Sequence, residues 1–332
     1  MANSKQYALG IDVGGTKILA GIVDTSTGKV LGAARKRTHP ERGVDFFKER
    51  LLKVAQAALD TTELPKDTEL LGIGIGVAGQ VDRAKGVLLA GPNLSAGLDH
   101  LPLAGLLQER FQLPVAVGND VEVATLGEQF YGAARGCDDF VCVFVCTGIG
   151  SGIVEGGQLY RGATGTAGEI GHTVVQYSGR LCGCGGRGHL EAYASRTAIT
   201  RVLLAELARG RASRLRDLLD ADDPQIRSKL IARCLDEHDE LVIEAVSDAA
   251  DYLGAGLGSL VTFYNPKRIV LGGGLIEAAP LLFERASLRT REVALPGPGR
   301  QVEIVRTALG DNSGIVGAAR MSALHASQHA AD

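Results

Sequence analysis

The sequence predicts a mixed α/β protein with two lobes and a cleft between them, and three observations support this prediction. The chain has 332 residues, 45% of them hydrophobic, and this length exceeds the roughly 250–300 residues at which a single core stops growing. Apolar runs that end in glycine turns alternate with amphipathic helical segments. A strand–turn–strand unit near the N terminus recurs about 130 residues later, which indicates a duplicated architecture.

The first half begins with a predicted β-hairpin. Residues 7–13 and 18–23 are apolar runs on either side of Gly14-Gly15-Thr16-Lys17, and two such runs joined by a glycine turn are typical of a hairpin. At 44–59, apolar residues recur at helical spacing among charged ones, which predicts an amphipathic helix. Further strands are predicted at 31–39, 70–79 and 115–120.

The second half repeats this organisation. Residues 140–146 form an apolar run that leads into Thr147-Gly148-Ile149-Gly150, and a strand resumes at 152–160. The remaining predicted elements are helices at 192–208, 226–234 and 240–263, a last buried strand at 268–276 and a closing helix at 310–324.

Composition narrows the function classes. Lys plus Arg number 35 against 38 Asp plus Glu, and no basic block is long enough to follow a phosphate backbone, so no nucleic-acid partner is expected. No apolar run approaches about 18 residues and no signal-peptide pattern opens the chain, so we expect a cytoplasmic protein without a membrane partner. The six cysteines are crowded in a way that does not fit a secreted disulfide framework.

Three glycine turns predict a phosphate site. Asp12 ends a strand and is suited to a hydrated Mg²⁺, and Gly14-Gly15-Thr16-Lys17 supply accessible amides, a hydroxyl and a cation. Thr147-Gly148-Ile149-Gly150 repeats this device, and Gly272-Gly273-Gly274 forms a third turn. A plain hairpin with a solvated Lys17 is the alternative for the first turn. Neither the GxxxxGK[ST] nor the helix-opening GxGxxG pattern matches, so three turns would have to hold one nucleotide.

Asn119-Asp120 ends a predicted strand where the two halves meet. A carboxylate there is suited to accept the proton of an attacking hydroxyl in phosphoryl transfer. The same pair is also a common N-cap, here for a helix beginning at Val121. Sequence spacing leaves both roles of Asp120 open.

A cluster of soft and borderline donors predicts a structural zinc site. Its four members, all within 18 positions, are His172, Cys182, Cys184 and His189. Two thiolates with two imidazoles suit tetrahedral zinc, but Cys-x-Cys is tighter than the usual spacing. A reduced, metal-free glycine loop is therefore the alternative. Zinc would fix the loop that carries Glu169 and Glu191.

Seven segments in order carry a family resemblance: GIDVGGTKILAGIVD, GIGVAGQVD, VGNDVEVATLGE, TGIGSGIV, GATGTAGEIGHTVV, CGCGGRGHLEAYAS and NPKRIVLGGGL. They span nearly the whole chain, which resembles the ROK (repressor, open reading frame, kinase) family of sugar kinases and sugar-responsive regulators. The resemblance implies a duplicated actin-like, ribonuclease-H-like ATPase fold. It places 1–120 plus 311–328 in a smaller N-terminal lobe and 121–310 in a larger C-terminal lobe with a zinc-loop insertion at 161–191.

The resemblance also implies roles for individual residues. Asp120 resembles the family's catalytic base, which favours that role over the N-cap, and Asp12 matches a carboxylate near Mg²⁺. The positions that match sugar-binding segments are Gly79, Asn93, Asn119, Asp120, Glu169, His172 and Glu191. The positions that match ATP-binding turns are Asp12, Gly14, Gly15, Thr16, Lys17, Thr147, Gly148, Gly150, Gly272, Gly273 and Gly274. His172 is expected to face zinc through one ring nitrogen and the sugar through the other.

The chain departs from the family pattern at several positions. His189 stands where a third cysteine is usual, so the zinc set would be His₂Cys₂. Ala78 stands where the family commonly has proline, and the tryptophan often found after the position of Asn93 in glucose kinases is missing. These departures leave the identity of the sugar open.

The favoured function is an ATP-dependent hexokinase, with glucose as the first expected substrate. Mannose, allose, fructose and N-acetyl sugars such as N-acetylmannosamine stay open, as does polyphosphate as the donor. A sugar-responsive repressor is disfavoured because only MANSKQ precedes the first strand, which is too short for a helix-turn-helix module. A silent sugar sensor is disfavoured because both phosphate turns and Asp120 are present. The resemblance further implies a homodimer or homotetramer.

Overall fold

The computed structural model describes residues 6–65, 68–91, 94, 97–219 and 225–329. The chain divides into two compact units. The first unit runs to Gly136 and takes up the chain again from Asp311, and the second is Cys137–Gly310. This division lies later in the chain than the expected boundary after Asp120.

The described residues form twelve strands. In chain order they are β1 (Tyr7–Val13), β2 (Lys17–Asp24), β3 (Val30–Arg37), β4 (Leu70–Val77), β5 (Gln80–Asp82), β6 (Val87–Ala90), β7 (Val115–Asn119), β8 (Phe140–Val145), β9 (Ile149–Glu155), β10 (Gln158–Tyr160), β11 (Arg268–Gly272) and β12 (Glu303–Arg306).

The same ranges contain twelve α-helices. They are α1 (Val44–Asp60), α2 (Leu103–Phe111), α3 (Asp120–Tyr131), α4 (Glu191–Ala194), α5 (Arg196–Ala208), α6 (Leu215–Leu218), α7 (Ser228–Asp236), α8 (Glu240–Tyr264), α9 (Gly274–Ala278), α10 (Pro280–Val293), α11 (Pro296–Gln301) and α12 (Ser313–His329). Within the described ranges, no helix combines the length and apolar character that a membrane crossing requires.

The first unit is built on a five-stranded sheet of order β3-β2-β1-β4-β7. The hairpin predicted at the N terminus is present, since β1 pairs antiparallel with β2 and β2 with β3. On the other side of β1 the pairing is parallel, from β1 to β4 and from β4 to β7. The strands that run parallel to β1 therefore end on the same edge as the turn after Val13.

The second unit repeats this topology. Its sheet has the order β10-β9-β8-β11-β12, with β8–β9 and β9–β10 antiparallel and β8–β11 and β11–β12 parallel. Each strand of the second sheet thus corresponds to one of the first in both order and direction. The duplicated architecture predicted from the repeated strand–turn–strand unit is confirmed.

Glycines in the first sheet allow α12 to pack directly on the strand backbones. Gly10 of β1 pairs with Gly74 of β4. A Cβ on Gly10 would lie 1.9 Å from the Ile315 carbonyl oxygen, and one on Gly74 would lie 1.8 Å from that of Ala318. Side chains at these two positions would push the helix away.

The same close packing explains where the first unit ends. A Cβ on Gly317 of α12 would lie 1.7 Å from the Val123 carbonyl oxygen of α3, so the two helices are also in backbone contact. Because α12 packs on the first sheet, α3 belongs to that unit. The compact first unit therefore extends through α3 to Gly136.

The second unit has its own core around α8. Leu253, Leu257 and Val261 on this helix are fully buried, and they belong to one cluster with Val141 and Val143 of β8. The helix begins at the residue predicted from helical periodicity and ends one residue later than predicted.

Several predicted elements differ from the structure. The strand predicted at 152–160 is two strands, because Gly156 and Gly157 both adopt positive φ and turn the chain between β9 and β10. The strand predicted to 276 stops at Gly272, since Gly273 has a φ of 95° and α9 follows. The hairpin β5–β6, helix α10 and strand β12 were not predicted. Strands of three or four residues are too short to show an alternating pattern.

Candidate active site

The first glycine turn is held by the end of β3. The Gly14 amide donates to the Lys17 carbonyl oxygen at 2.9 Å and closes the turn. The Thr38 hydroxyl donates to the Gly14 carbonyl oxygen at 2.7 Å, and the Thr38 amide donates to the Thr16 carbonyl oxygen at 3.1 Å. The carbonyls of the turn are thereby fixed from within the protein.

The protein's own packing does not require glycine at position 14 of this turn. Neither Gly14 nor Gly15 has a positive φ, and a Cβ on Gly14 would meet only the Lys17 carbonyl oxygen, at an ordinary 3.6 Å. The missing side chains leave the backbone of the turn open to a close approach from outside the chain, as an anion-binding turn needs. The Gly14 amide, which donates to Lys17, is not among the donors available to an anion.

Asp12 and Lys17 flank this turn, and a third charged residue joins them. The Lys17 Nζ atom lies 2.8 Å from Asp311 Oδ1. Burial raises the pKa of the Asp12 carboxyl to about 6; the Lys17 ammonium opposes the rise and Asp311 adds to it. A Cβ on Gly314, in the first turn of α12, would lie 2.7 Å from Asp12 Cγ. Asp311 was not among the predicted site residues, because the sequence placed it only in the closing helix at 310–324.

Asn119, and not Asp120, is the N-cap of α3. The Asn119 Oδ1 atom accepts from the backbone amides of Val121 and Glu122, at 3.0 and 3.3 Å. Asp120 is the first helical residue, and its Oδ1 accepts from the Val121 amide at 3.0 Å. The alternative in which Asp120 serves as the cap is therefore not the arrangement found.

Asn119 also connects two predicted sugar-binding positions. Its Nδ2 donates to the Gly79 carbonyl oxygen at 3.0 Å. Gly79 has a φ of 144°, and a Cβ there would lie 2.2 Å from the Ala90 carbonyl oxygen, so only glycine fits. Asn93, another predicted sugar-binding position of this unit, lies outside the described residues.

An ion pair beside Asp120 was not predicted. Arg83, in the turn between β5 and β6, donates from Nη2 to Glu122 Oε1 and Oε2, both at 2.6 Å. Glu122 follows Asp120 by two residues in the first turn of α3. The pair ties the β5–β6 hairpin to the start of that helix. No sequence signal connects two residues so far apart in the chain.

The second glycine turn joins β8 and β9. The Cys146 amide donates to the Gly148 carbonyl oxygen at 2.8 Å. On one side of the turn, Glu191 Oε2 accepts from the Ile149 amide at 2.9 Å. Glycine at 148 makes room for this carboxylate, because a Cβ there would lie 2.3 Å from Glu191 Oε2.

Gly272-Gly273-Gly274 lies beside the second glycine turn. A Cβ on Gly273 would lie 2.6 Å from the Val145 carbonyl oxygen and 2.8 Å from Cys146 Sγ. A Cβ on Gly274 would have only the Ser228 hydroxyl nearby, at 4.0 Å. The structure thus brings two of the three predicted nucleotide-binding turns together within the second unit.

The four predicted zinc ligands form one cluster. Their ligand atoms, from His172, Cys182, Cys184 and His189, all lie within 4.8 Å of one another. The Cys184 Sγ atom lies 3.2 Å from His189 Nδ1, and Cys182 Sγ lies 3.8 Å from His172 Nδ1. Donors around tetrahedral zinc are separated by roughly 3.3–3.8 Å. The set therefore fits a zinc ion after a small contraction.

The structure accommodates His189 at the position where the family has cysteine. The imidazole lies over Gly186, where a Cβ would be 2.3 Å from His189 Cε1. The larger side chain thus occupies space that a glycine leaves open.

Glu169, His172 and Glu191 lie around this cluster. His172 Nε2 is 4.0 Å from Glu169 Oε2, while its Nδ1 faces Cys182. Cys182 Sγ also lies 3.6 Å from Glu191 Oε1, and burial raises the pKa of the Cys182 thiol to about 11. The predicted sugar-binding groups of the second unit are therefore linked both to the cluster and, through Glu191, to the second glycine turn.

Comparisons with known proteins agree with these features. A model of the ROK family matches residues 8–324. A glucokinase of Halalkalibacterium halodurans is 32% identical over 316 residues, which are 95% of this chain and 94% of the relative. A xylose repressor of Bacillus subtilis is 27% identical over 312 residues, 94% of this chain and 75% of the repressor. The crystal structure of a ROK family glucokinase from Streptomyces griseus with glucose and AMPPNP matches with a TM-score of 0.83 and 32% identity, over 96% of this chain and 99% of that one.

The fold implied by the sequence resemblance is thereby confirmed, since the two sheets repeat one topology and the structural match covers almost the whole chain. The match to the family model leaves out only short stretches at either end of the 332 residues. The chain belongs to the ROK family.

Proposed function

We propose that this protein is an ATP-dependent sugar kinase that phosphorylates a hexose at the 6-hydroxyl, with glucose as the preferred sugar. The similarity to glucokinases over 95% of the chain supports this function, as do the glucose and AMPPNP held by the Streptomyces griseus relative. The arrangement at the start of α3 carries the chemical argument. Because Asn119 serves as the N-cap, Asp120 is not required for that role.

Asp120 acts as the general base in this proposal. Its carboxylate accepts the proton of the sugar O6 as that oxygen forms a bond to the γ-phosphorus of ATP. The bond from the γ-phosphorus to the bridging oxygen breaks at the same time, and ADP leaves. Glu122 is unsuited to this role because both of its carboxylate oxygens accept from Arg83.

The glycine turns hold the phosphates of ATP. Gly14-Gly15-Thr16-Lys17 supplies amides, a hydroxyl and an ammonium, and Thr147-Gly148-Ile149-Gly150 supplies a second set. Gly272-Gly273-Gly274 borders the adenosine. Asp12 lies next to the first turn and is the residue that would hold Mg²⁺, which neutralises phosphate charge when bound.

The residues proposed for sugar recognition are those that match the family's sugar-binding segments. The hydroxyls of the hexose are contacted by Asn119, Asp120, Glu169, His172 and Glu191, and the sugar is bordered by Gly79 and Asn93. One hydrogen of the Asn119 amide already bonds Gly79, so the other is the one offered to the sugar. A carboxylate and an amide that recognise specific hydroxyls give discrimination among hexoses that apolar contacts cannot supply.

The cluster of two histidines and two cysteines holds a structural zinc ion in this proposal. The support is the spread of no more than 4.8 Å between its ligand atoms. When bound, zinc would fix the loop that carries Glu169 and Glu191 relative to the second glycine turn. We further propose a cytoplasmic location and, from the family resemblance alone, a homodimeric or homotetrameric assembly.

The kinase assignment is tested with Asp120→Asn, which keeps the shape of the side chain and removes its basicity. Sugar-dependent ADP release should fall by about 10²–10⁴-fold, the usual contribution of a general base, while AMPPNP binding and thermal stability stay near wild type. Asp45→Asn, at a carboxylate whose side chain is 95% exposed on α1, is the matched control and should keep full activity. An Asp120→Asn enzyme with near wild-type turnover on every hexose would show that the base assignment is wrong.

A further inference from the structure

The first turn of α5 lies against the second glycine turn and holds it through backbone and hydroxyl contacts. The Arg196 amide donates to the Cys146 carbonyl oxygen at 3.0 Å. The amide and the hydroxyl of Thr197 both donate to the Thr147 carbonyl oxygen, at 3.3 and 2.8 Å. These three hydrogen bonds attach the turn to the helix without the Arg196 side chain.

The Arg196 side chain makes a separate contact with Thr147. Its Nη2 donates to Thr147 Oγ1 at 2.7 Å, a short, charge-assisted hydrogen bond. A guanidinium has no acceptor, so the threonine hydroxyl must accept in this contact. The single hydrogen of that hydroxyl is then directed elsewhere, and Thr147 is set to donate to another acceptor.

Arg196 also borders an open space. A cavity of about 220 Å³ is lined by Arg196, Thr197, Thr200, Gln225, Ile226 and Arg227. Over the part of the chain that the structure describes, no carboxylate forms an ion pair with Arg196. An anionic ligand that approached Arg196 would meet its positive charge and the oriented hydroxyl of Thr147.

We propose that Arg196 is a positioning residue for the phosphate donor. It orients the Thr147 hydroxyl so that this hydroxyl donates a hydrogen bond to a phosphate of ATP. The inference rests on the proposed function, because it takes the second glycine turn as part of the ATP site. Arg196 acts through Thr147, and the attachment of the turn to α5 does not depend on its guanidinium.

A double-mutant cycle tests this inference. The variants are Arg196→Met, Thr147→Val and the combination of the two, and the measurement is the dissociation constant of AMPPNP by titration calorimetry. Loss of one hydrogen bond to a charged group should weaken binding about tenfold in each single variant. The combined variant should bind no more weakly than the weaker of the two, since both changes remove the same interaction.

Two further variants and the kinetic constants complete the experiment. Thr147→Ser keeps the hydroxyl, so it should stay sensitive to Arg196→Met. Arg201→Met, at an exposed arginine on the same helix, is the matched control and should bind AMPPNP as the wild type does. In Arg196→Met, KM for ATP should rise about tenfold and KM for the sugar less than twofold.

The outcomes separate this inference from the proposed function. Losses that multiply to about a hundredfold in the combined variant would show that Arg196 acts independently of Thr147. Unchanged AMPPNP binding with lowered thermal stability in Arg196→Met would show a structural role only, and either result overturns the inference. If the variants show the expected cycle but the wild-type protein phosphorylates no hexose, only the kinase assignment is contradicted. If the wild-type protein binds no nucleotide, both the kinase assignment and this inference are contradicted.

Discussion

At the scale of single residues, the titration of Asp12 should change the free energy of unfolding of the protein. Its ordinary pKa of 3.8 rises to about 6 in the fold, with burial as the largest cause. A carboxyl whose pKa is raised on folding costs stability when it ionises. The cost is absent below about pH 4, grows as the pH rises through 6, and is complete above that.

Asp12→Asn should therefore stabilise the protein at neutral pH. The expected gain in the free energy of unfolding is about 1–3 kcal/mol at pH 7, from a shift of roughly two pKa units discounted for partial exposure. The gain over wild type should shrink as the pH falls from 7 to about 4. Denaturant unfolding of both proteins across this range measures it. A difference that stays constant with pH would contradict the assignment of the shift to Asp12.

Residue identity alone could not decide the role of Asp120. Both Asn119 and Asp120 are good N-cap residues, and the choice depends on which of them precedes the first helical backbone angles. The contacts of Asp311 with Lys17 and of Arg83 with Glu122 could not be predicted from the sequence either, because each joins segments that only the fold brings together. Sequence patterns did identify the glycine turns and the cluster of histidines and cysteines, since these groups are local in the chain.

At the scale of elements, the packing of α12 on the first sheet depends on glycines inside the strands. Gly74→Ala would place a methyl group 1.8 Å from the Ala318 carbonyl oxygen. Because this oxygen belongs to the helix backbone, the whole helix must shift, and we expect a loss of about 3 kcal/mol in the free energy of unfolding. Gly105→Ala in α2, where a Cβ meets nothing within 4 Å, is the control and should be neutral or slightly stabilising.

Thermal and denaturant unfolding of the two variants give the comparison. A Gly74→Ala protein as stable as the wild type would mean that α12 does not pack at backbone contact distance on β4. Glycine in the interior of a strand usually weakens the strand. Gly10 and Gly74 are nevertheless found there because the helix backbone lies against them. The 45 glycines of the chain therefore serve close contacts between elements as well as turns that bind ligands.

The loop from Glu169 to Glu191 is the second element with a testable dependence. Protein purified without a histidine tag should contain one zinc per chain by elemental analysis, and Cys184→Ser should lose it. Removal of zinc by a chelator should lower the melting temperature and raise KM for the sugar about tenfold, since metal binding stabilises the folded loop. His189→Cys should keep the metal. A fully stable, active protein without zinc would rule out the structural zinc ion.

At the scale of the whole molecule, the duplication is the part of the fold that the sequence predicts best. Both hairpins contain a glycine and a threonine in the turn between apolar strands. This local pattern is shared by the two halves of the chain although few of their side chains are identical. The contact between Gly317 and Val123 that keeps α3 with the first sheet joins distant parts of the chain, so no local sequence pattern indicates it. Strand β12 has only four residues and pairs with β11 across a long connection.

Phosphoryl transfer from ATP to glucose by the wild-type protein is the central claim, and phosphorus NMR of the reaction mixture tests it most directly. With ATP, Mg²⁺ and glucose, we predict that ADP and glucose 6-phosphate appear in equal amounts, and that neither ADP nor free phosphate accumulates when the sugar is omitted. ATP consumption that yields inorganic phosphate whether or not sugar is present, or no consumption with any hexose, would contradict the account.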